Sequence, residues 1–136
     1  MDKIYSINGH EVSFYCNEEN RIAKATIKDC EDDVFDGLKD DFGLNIDHGI
    51  FTHTADRYLS KVEMPQTMSC VARCHPDDAF DEEHGKRVAY KKLRKKYWSK
   101  YAKRMYNLRN ILVNSATFCT FEAQNAYKKA DQITLL

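Results

Sequence analysis

The sequence lacks several features that would at once assign it to a large class of proteins. No apolar run approaches the roughly 18 residues that a membrane-spanning helix needs, so a membrane protein is not expected. Charge of one sign is not in excess, because 21 basic residues balance 21 acidic ones. The five glycines form neither a phosphate-binding loop nor a dinucleotide fingerprint. Linkers and low-complexity segments are also missing, and 136 residues suit a single domain over 1–136.

Cysteine is present in an odd number, which argues against a framework of disulfides. The five thiols are those of Cys16, Cys30, Cys70, Cys74 and Cys119. No signal-like segment precedes them, so we expect reduced thiols in a cytosolic protein. Cys70, Cys74 and His75 have ligand chemistry, but their spacing is not that of a usual zinc knuckle. No metal ion is therefore predicted.

Catalytic patterns are weak as well. Cys74 and His75 are neighbours at a predicted strand end, where successive side chains point apart, so they do not pair as nucleophile and base. Asp77 and Asp78 are explained by helix capping. We therefore expect a protein that is not an enzyme and that uses no cofactor.

The first part of the chain alternates like β-structure. Alternating residues flank Asn8-Gly9, a strong hairpin signal because both turn positions need positive φ. A second turn at 17–20 leads into a third run at 21–28. The pattern predicts a three-stranded antiparallel meander over residues 3–28.

A helical segment is predicted over residues 32–63. Its first part is acidic, has apolar residues at helical spacing, and should end at Gly43. A second helix is expected after Asp47 as N-cap, and Pro65 should end it. Residues 67–74, between two prolines, read as a fourth strand that joins the meander.

Helices are predicted over residues 78–130. Asp77 or Asp78 should cap the first of them. A break is expected near Asn114-Ser115, where two poor helix formers meet, followed by a last helix over 118–130. Its three aromatic residues need a partner surface: Phe118, Phe121 and Tyr127. The predicted class is α+β, with the meander and fourth strand packed with helices and followed by long C-terminal α-helices.

One stretch of the helical region is basic and contains no acidic residue. Its eleven cations are Lys86, Arg87, Lys91, Lys92, Arg94, Lys95, Lys96, Lys100, Lys103, Arg104 and Arg109. Solvated helices usually mix signs, because opposite charges at i,i+4 help and like charges repel. Two interpretations stay open: a solvated face paired with the acidic segment 29–41, or an anion site for phosphates.

Helical geometry places several arginines close to apolar surface. An apolar stripe runs along the helix through Tyr90, Leu93, Tyr97, Tyr101, Met105, Leu108 and Leu112. Arg109 lies at its edge near Tyr106, and Arg94 and Arg104 lie in or beside it. Such an arginine either grips phosphate in a pocket or covers apolar surface with its stem. Tyr97, Trp98 and Tyr101 serve as core, as oligomer interface or as base-stacking surfaces.

One segment of the chain resembles a known family. Residues 71–81 read VARCHPDDAFD, with Gly85 and Ala89 following, and together with the chain length, the meander and the basic helices they resemble the Thoeris anti-defence proteins of phages. The resemblance implies an oligomeric sponge in the host cytoplasm. Such a sponge holds a cyclic ADP-ribose isomer away from the defence effector, and some members also hold cyclic trinucleotides.

The resemblance also ranks the ligand-binding candidates. Arg109 is the first choice for the nucleotide phosphates, and Lys28, Arg57 and Tyr106 follow. Lys28 stands where an arginine-like contact is implied, which keeps the charge but loses the fork. Arg94 and Arg104 complete the set.

The expected partners follow from this interpretation. They are a cyclic nucleotide second messenger and further copies of the chain, as a dimer or a larger oligomer up to a hexamer. Neither a membrane nor nucleic acid is the expected partner. Two alternatives stay open: a nucleic-acid-binding module, and an inhibitor of a host enzyme whose acidic segment 29–41 faces a nucleic-acid channel.

Overall fold

The protein has the predicted α+β fold. The computed structural model describes residues 5–43 and 61–135. In chain order its elements are β1 (Ser6–Ile7), β2 (His10–Glu11), β3 (Ser13–Asn17), β4 (Ile22–Lys28), α1 (Asp33–Phe42), β5 (Thr67–Arg73) and α2 (Glu82–Asp131).

The first hairpin forms at the predicted turn. Asn8 and Gly9 have φ angles of 48° and 81°, and β1 pairs with β2 across them in antiparallel fashion. The amide of Val12 extends this ladder by donating to the Tyr5 carbonyl at 2.9 Å. The turn prediction is confirmed.

The remaining strands form a separate three-stranded antiparallel sheet in the order β3-β4-β5. At its centre, Ala25 of β4 lies between Phe14 of β3 and Cys70 of β5. The predicted fourth strand is confirmed, and the antiparallel strands predicted over 3–28 are present, but they are divided between two sheets rather than joined in one. The chain changes ladders after Val12, and Ser13 already pairs with Thr26.

Helix α1 ends where the sequence predicts. Gly43 has φ 73°, and its N–H bonds the carbonyls of Leu38 and Lys39, which is the left-handed C-terminal cap that glycine favours. The helix predicted after Asp47 lies mostly outside the described residues. Lys61 and Val62, near its predicted end, are helical, and Val62 is buried.

Helix α2 begins later than predicted. Its N-cap is Asp81, whose side chain accepts a hydrogen bond from the His84 amide at 3.2 Å. Asp77 and Asp78, the predicted caps, instead lie in a turn. The Asp78 N–H donates to the His75 carbonyl at 3.0 Å, and this turn delays the helix.

Helix α2 is also continuous over its 50 residues, so the break predicted near Asn114-Ser115 is wrong. The hydroxyl of Ser115 donates to the Ile111 carbonyl one turn earlier at 3.0 Å. The Thr117 hydroxyl does the same with Val113 at 3.1 Å. These residues therefore satisfy their side-chain donors without leaving the helical conformation.

The first half of α2 packs across the sheet. Leu93, Tyr97 and Leu108 of the apolar stripe are buried together with Ala25 and Ile27 of β4. The pattern of β4 explains this contact, because alternate residues of the strand face the helix while Lys24 and Lys28 are exposed.

The last part of α2 projects beyond this core, and we call residues 113–131 the arm. Its large apolar side chains are exposed, with 64% of Phe118, 61% of Phe121 and 74% of Tyr127 accessible. At 1.5 Å per residue the arm is roughly 28 Å long. Along the described residues, no helix combines the length and the apolarity needed to cross a membrane.

Candidate functional site

Arg109 and Tyr106 form a stack on the exposed side of α2. The guanidinium carbon of Arg109 lies 4.9 Å from the centroid of the Tyr106 ring, a cation–π geometry. Nε and Nη2 of Arg109 donate to the Asn110 side-chain oxygen at 3.3 and 3.0 Å. Both partners are exposed, Tyr106 at 57%. The stack therefore places an aromatic ring and a guanidinium on one side of the helix, and a ligand that takes the Nε–Nη2 edge of Arg109 would replace the Asn110 oxygen there.

An apolar groove of about 370 Å³ runs beside this stack. It is lined by Arg109 and by the apolar side chains of Leu38, Met105, Leu108, Leu112, Val113 and Ala116. Leu38 comes from α1 and the other lining residues from α2, so the packing of these two helices builds the groove. A ligand held here would meet one cation at the margin of an otherwise uncharged wall.

The other predicted ligand-binding residues do not converge on this stack. Arg94 lies over the Tyr90 ring at 5.5 Å, and its Cα is roughly 22 Å from that of Arg109 along the helix axis. Arg104 is half-buried, and Lys28 is exposed at the end of β4. Arg57 lies outside the described residues. Five of the six candidates lie in the described residues. Of these five, the structure brings together Tyr106 and Arg109.

Arg94 belongs to a second basic surface. A shallow depression of about 350 Å³ is lined by Lys91, Arg94, Lys95, Trp98 and Ser99. Trp98 is 44% exposed, whereas Tyr97 is fully buried and therefore unavailable for base stacking. Three cations around an accessible indole suit a polyanion with exposed bases.

The segment that carries the family resemblance lines a cavity of about 420 Å³ between β5 and the start of α2. Cys74 is part of its lining, and its thiol lies 3.6 Å from Nη2 of Arg21. That nitrogen also donates to the His75 carbonyl at 3.1 Å. These contacts hold the loop before α2 in place.

A buried polar cluster was missed by the sequence analysis. Nε2 of His10 lies 2.9 and 2.8 Å from the two carboxylate oxygens of Asp33. The Tyr97 hydroxyl donates to the same carboxylate and accepts from the Asn8 side-chain amide at 2.7 Å. The cluster joins the first hairpin, α1 and α2. No sequence motif could have revealed it, because its members come from three separate elements.

Burial governs the ionisation of this region. The pKa of the Tyr97 hydroxyl is raised, first because it is buried and also because it bonds the Asp33 carboxylate. Burial raises the pKa of the Cys30 thiol to about 12, with further contributions from the charges of Asp33 and Glu31. Both groups are therefore neutral at physiological pH.

A search of family models, of curated proteins and of solved structures finds no match for the chain.

Proposed function

We propose that the protein binds a small phosphate-bearing nucleotide at the Arg109–Tyr106 stack and sequesters it without degrading it. The observation that carries the proposal is the Arg109 guanidinium 4.9 Å from the Tyr106 ring at the edge of an apolar groove. Guanidinium donors match phosphate oxygens in pairs, and an aromatic face accepts a base. The stack therefore offers both halves of a nucleotide a partner.

Among residues 5–43 and 61–135, the proposed site covers only one side of a ligand. Small-molecule sites usually cover more than about 70% of their ligand, whereas the stack and groove lie on one open side of α2. A second copy of the chain, placed against this side, would supply the missing wall. The proposal therefore includes a homo-oligomer with its nucleotide sites between subunits.

The arm supports the same oligomer. Between Arg109 and Lys128 the only charged residue is Glu122, an unusual composition for an exposed helix. Small side chains follow one another at steps of three and four residues, the spacing at which a second helix packs closely. They are Ala116, Cys119, Ala123, Ala126 and Ala130.

The resemblance to the phage Thoeris anti-defence family supplies the identity of the proposed ligand and the biological setting. The ligand would be a glycocyclic ADP-ribose immune signal, with cyclic oligonucleotides as further ligands, held in the host cytoplasm. Calorimetry with purified glycocyclic ADP-ribose isomers tests this directly. We expect binding, followed by recovery of the intact nucleotide after the protein is denatured by heat. No heat of binding, or recovery of a hydrolysed product, would refute it.

The stack itself is tested by substitution. Arg109→Ala should weaken binding about 10- to 100-fold, because charge-assisted hydrogen bonds contribute about 1.5–3 kcal/mol. Arg109→Lys should restore only part of the affinity, since lysine keeps the charge and loses the fork. Arg87→Ala is the matched control, because Arg87 is an exposed arginine near the start of the same helix, far from the stack. Equal affinities in all three variants would place the ligand elsewhere.

Nucleic-acid binding is a second candidate, which the basic depression around Trp98 favours. Binding there should weaken by orders of magnitude between low and physiological salt, and Arg94→Ala should weaken it while Arg109→Ala should not. A mobility shift with single-stranded and duplex DNA separates the candidates. Absence of a shift at low salt removes this one.

A further inference from the structure

Three side chains with metal-binding atoms converge behind the first hairpin. His10 comes from β2, Cys30 from the connection after β4, and Asp33 from the first position of α1. Their ligand atoms all lie within 4.8 Å of one another. Among residues 5–43 and 61–135, no other group of three or more histidine, cysteine or acidic side chains is arranged to hold a metal ion. Three separate elements therefore bring an imidazole, a thiol and a carboxylate to one point.

The three side chains are shielded from solvent. Cys30 is fully buried, and 7% of Asp33 and 18% of the His10 side chain remain exposed. A buried site suits a specific ion, because bulk water does not compete for each ligand. The plain alternative is a hydrogen-bonded His10–Asp33 pair that only attaches the hairpin to α1.

The carboxylate is held by a further shell of hydrogen bonds. Asp33 accepts from the Tyr97 hydroxyl, which in turn accepts from the Asn8 amide at 2.7 Å. Metal-binding carboxylates are commonly oriented by such outer partners. The chain Asn8–Tyr97–Asp33 therefore fixes one ligand in advance.

Access to the cluster is available from one side. A cavity of about 380 Å³ reaches His10 and Asp33, and its wall carries three more carboxylates, those of Asp36, Asp40 and Asp41. This negative wall attracts a cation and leaves a coordination position for water. The third ligand, Cys30, lies behind it in the core.

The donor set selects the class of ion. One nitrogen, one sulfur and one oxygen ligand suit Zn²⁺ and its analogue Co²⁺, whereas Mg²⁺ and Ca²⁺ prefer oxygen alone. Ligand atoms around tetrahedral zinc lie roughly 3.3–3.8 Å apart. The present cluster brackets that spacing, from 2.8 Å between His10 and Asp33 to at most 4.8 Å. Small side-chain adjustments would therefore complete it.

We propose that His10, Cys30 and Asp33 form a binding site for a zinc-like divalent ion, with water as the fourth ligand. The ion replaces the proton of the Cys30 thiol, which passes to solvent. It ties the first hairpin to α1 and to α2 through Tyr97. This inference is independent of the proposed nucleotide site, which is at the Arg109–Tyr106 stack on α2.

A cobalt titration of the full-length protein tests the site. We expect one equivalent of Co²⁺ to produce a thiolate-to-cobalt absorption band that added Zn²⁺ abolishes. Cys30→Ala should remove the band, and His10→Gln should weaken cobalt binding more than about tenfold. Cys74→Ala and His84→Gln are matched controls from the cavity beside β5 and should behave as wild type.

Three results with the wild type and the cysteine variants would overturn the proposal. They are the absence of a band in the wild type, a band that survives Cys30→Ala, and a band that is lost in Cys74→Ala. If Cys30→Ala does not fold, as judged by circular dichroism, His10→Gln decides the question, because His10 is partly exposed at the hairpin. Wild-type affinity in folded His10→Gln contradicts the site.

Discussion

Tyr101 of α2 lies against Gly37 of α1. A β-carbon added at Gly37 of α1 would overlap the Tyr101 hydroxyl oxygen. Glycine within a helix costs about 1 kcal/mol relative to alanine. The contact therefore explains why a poor helix former occupies a helical position.

This contact predicts that Gly37→Ala changes the free energy of unfolding differently in the wild type and in Tyr101→Phe. Gly37→Ala should destabilise the wild type by about 1–3 kcal/mol, because the hydroxyl and the added methyl overlap. In a Tyr101→Phe background the overlap is largely relieved, and the same change should cost little or stabilise. Urea denaturation of the four proteins measures the coupling. Equal effects of Gly37→Ala in both backgrounds would contradict the explanation.

Tyr101 also gives the stability a pH dependence. Burial raises the pKa of its hydroxyl, and the charges of Asp41 and Asp33 raise it further. The folded state therefore holds this proton more tightly than the unfolded chain, whose tyrosines titrate near pH 10. The contribution of the protonated Tyr101 hydroxyl to the free energy of unfolding is fully present below about pH 10 and is lost as the pH rises above it.

The matching measurement compares wild type with Tyr101→Phe. From pH 8 to 11 we expect the urea midpoint of the wild type to fall more steeply than that of the variant. Tyr15→Phe is a control, since the Tyr15 ring is 58% exposed. Parallel curves for wild type and Tyr101→Phe would show that the Tyr101 hydroxyl titrates alike in both states.

Among the secondary-structure elements, the arm of α2 is the one whose large apolar side chains lack a packing surface among the described residues. Most helical stability in proteins comes from the packing of an apolar face rather than from propensity, and Phe118, Phe121 and Tyr127 expose most of their surface. A second copy on the stripe of small side chains would cover the side that carries Tyr127, whereas Phe121 lies about 180° from that stripe. Burying all three rings and so stabilising the helix therefore takes partners on more than one side of the arm. The arm is therefore the element on which the proposed oligomer depends most.

Charge placed in the arm should dissociate the oligomer. Phe118→Glu should shift native mass spectra and light scattering toward the monomer, because a carboxylate in an apolar interface lacks a partner. Ser99→Glu adds the same charge at another exposed position of α2 and should leave the assembly unchanged. An unchanged assembly in Phe118→Glu would exclude this ring from the interface.

At the scale of the whole molecule, local signals were predicted well. Asn8-Gly9, the end of α1 at Gly43 and strand β5 were confirmed, because each depends on residues next to it in sequence. The start of α2 was not, since the turn around Asp78 competes with the helix for the same residues. The division into two sheets escaped prediction because Val12 changes ladders inside one alternating run.

The candidate sites follow the same rule. Tyr106 and Arg109 are one helical turn apart, so their stacking could be predicted from spacing alone. His10 and Asp33 are 23 residues apart, and Tyr97 is 64 residues from Asp33. Their meeting requires the tertiary packing of the hairpin, α1 and α2. The periodicity of apolar residues within one segment therefore cannot predict this contact.

A helix without a break transmits angle as well as distance. Because α2 runs unbroken from the sheet into the arm, removing one residue near position 114 would rotate everything beyond it by about 100°. Removing seven would rotate it by only about 20°. The number of residues in α2 therefore sets which side of the arm faces another subunit. A deletion of seven residues should therefore preserve the contact of the arm with its partner. A deletion of one residue should turn a different side of the arm toward that partner.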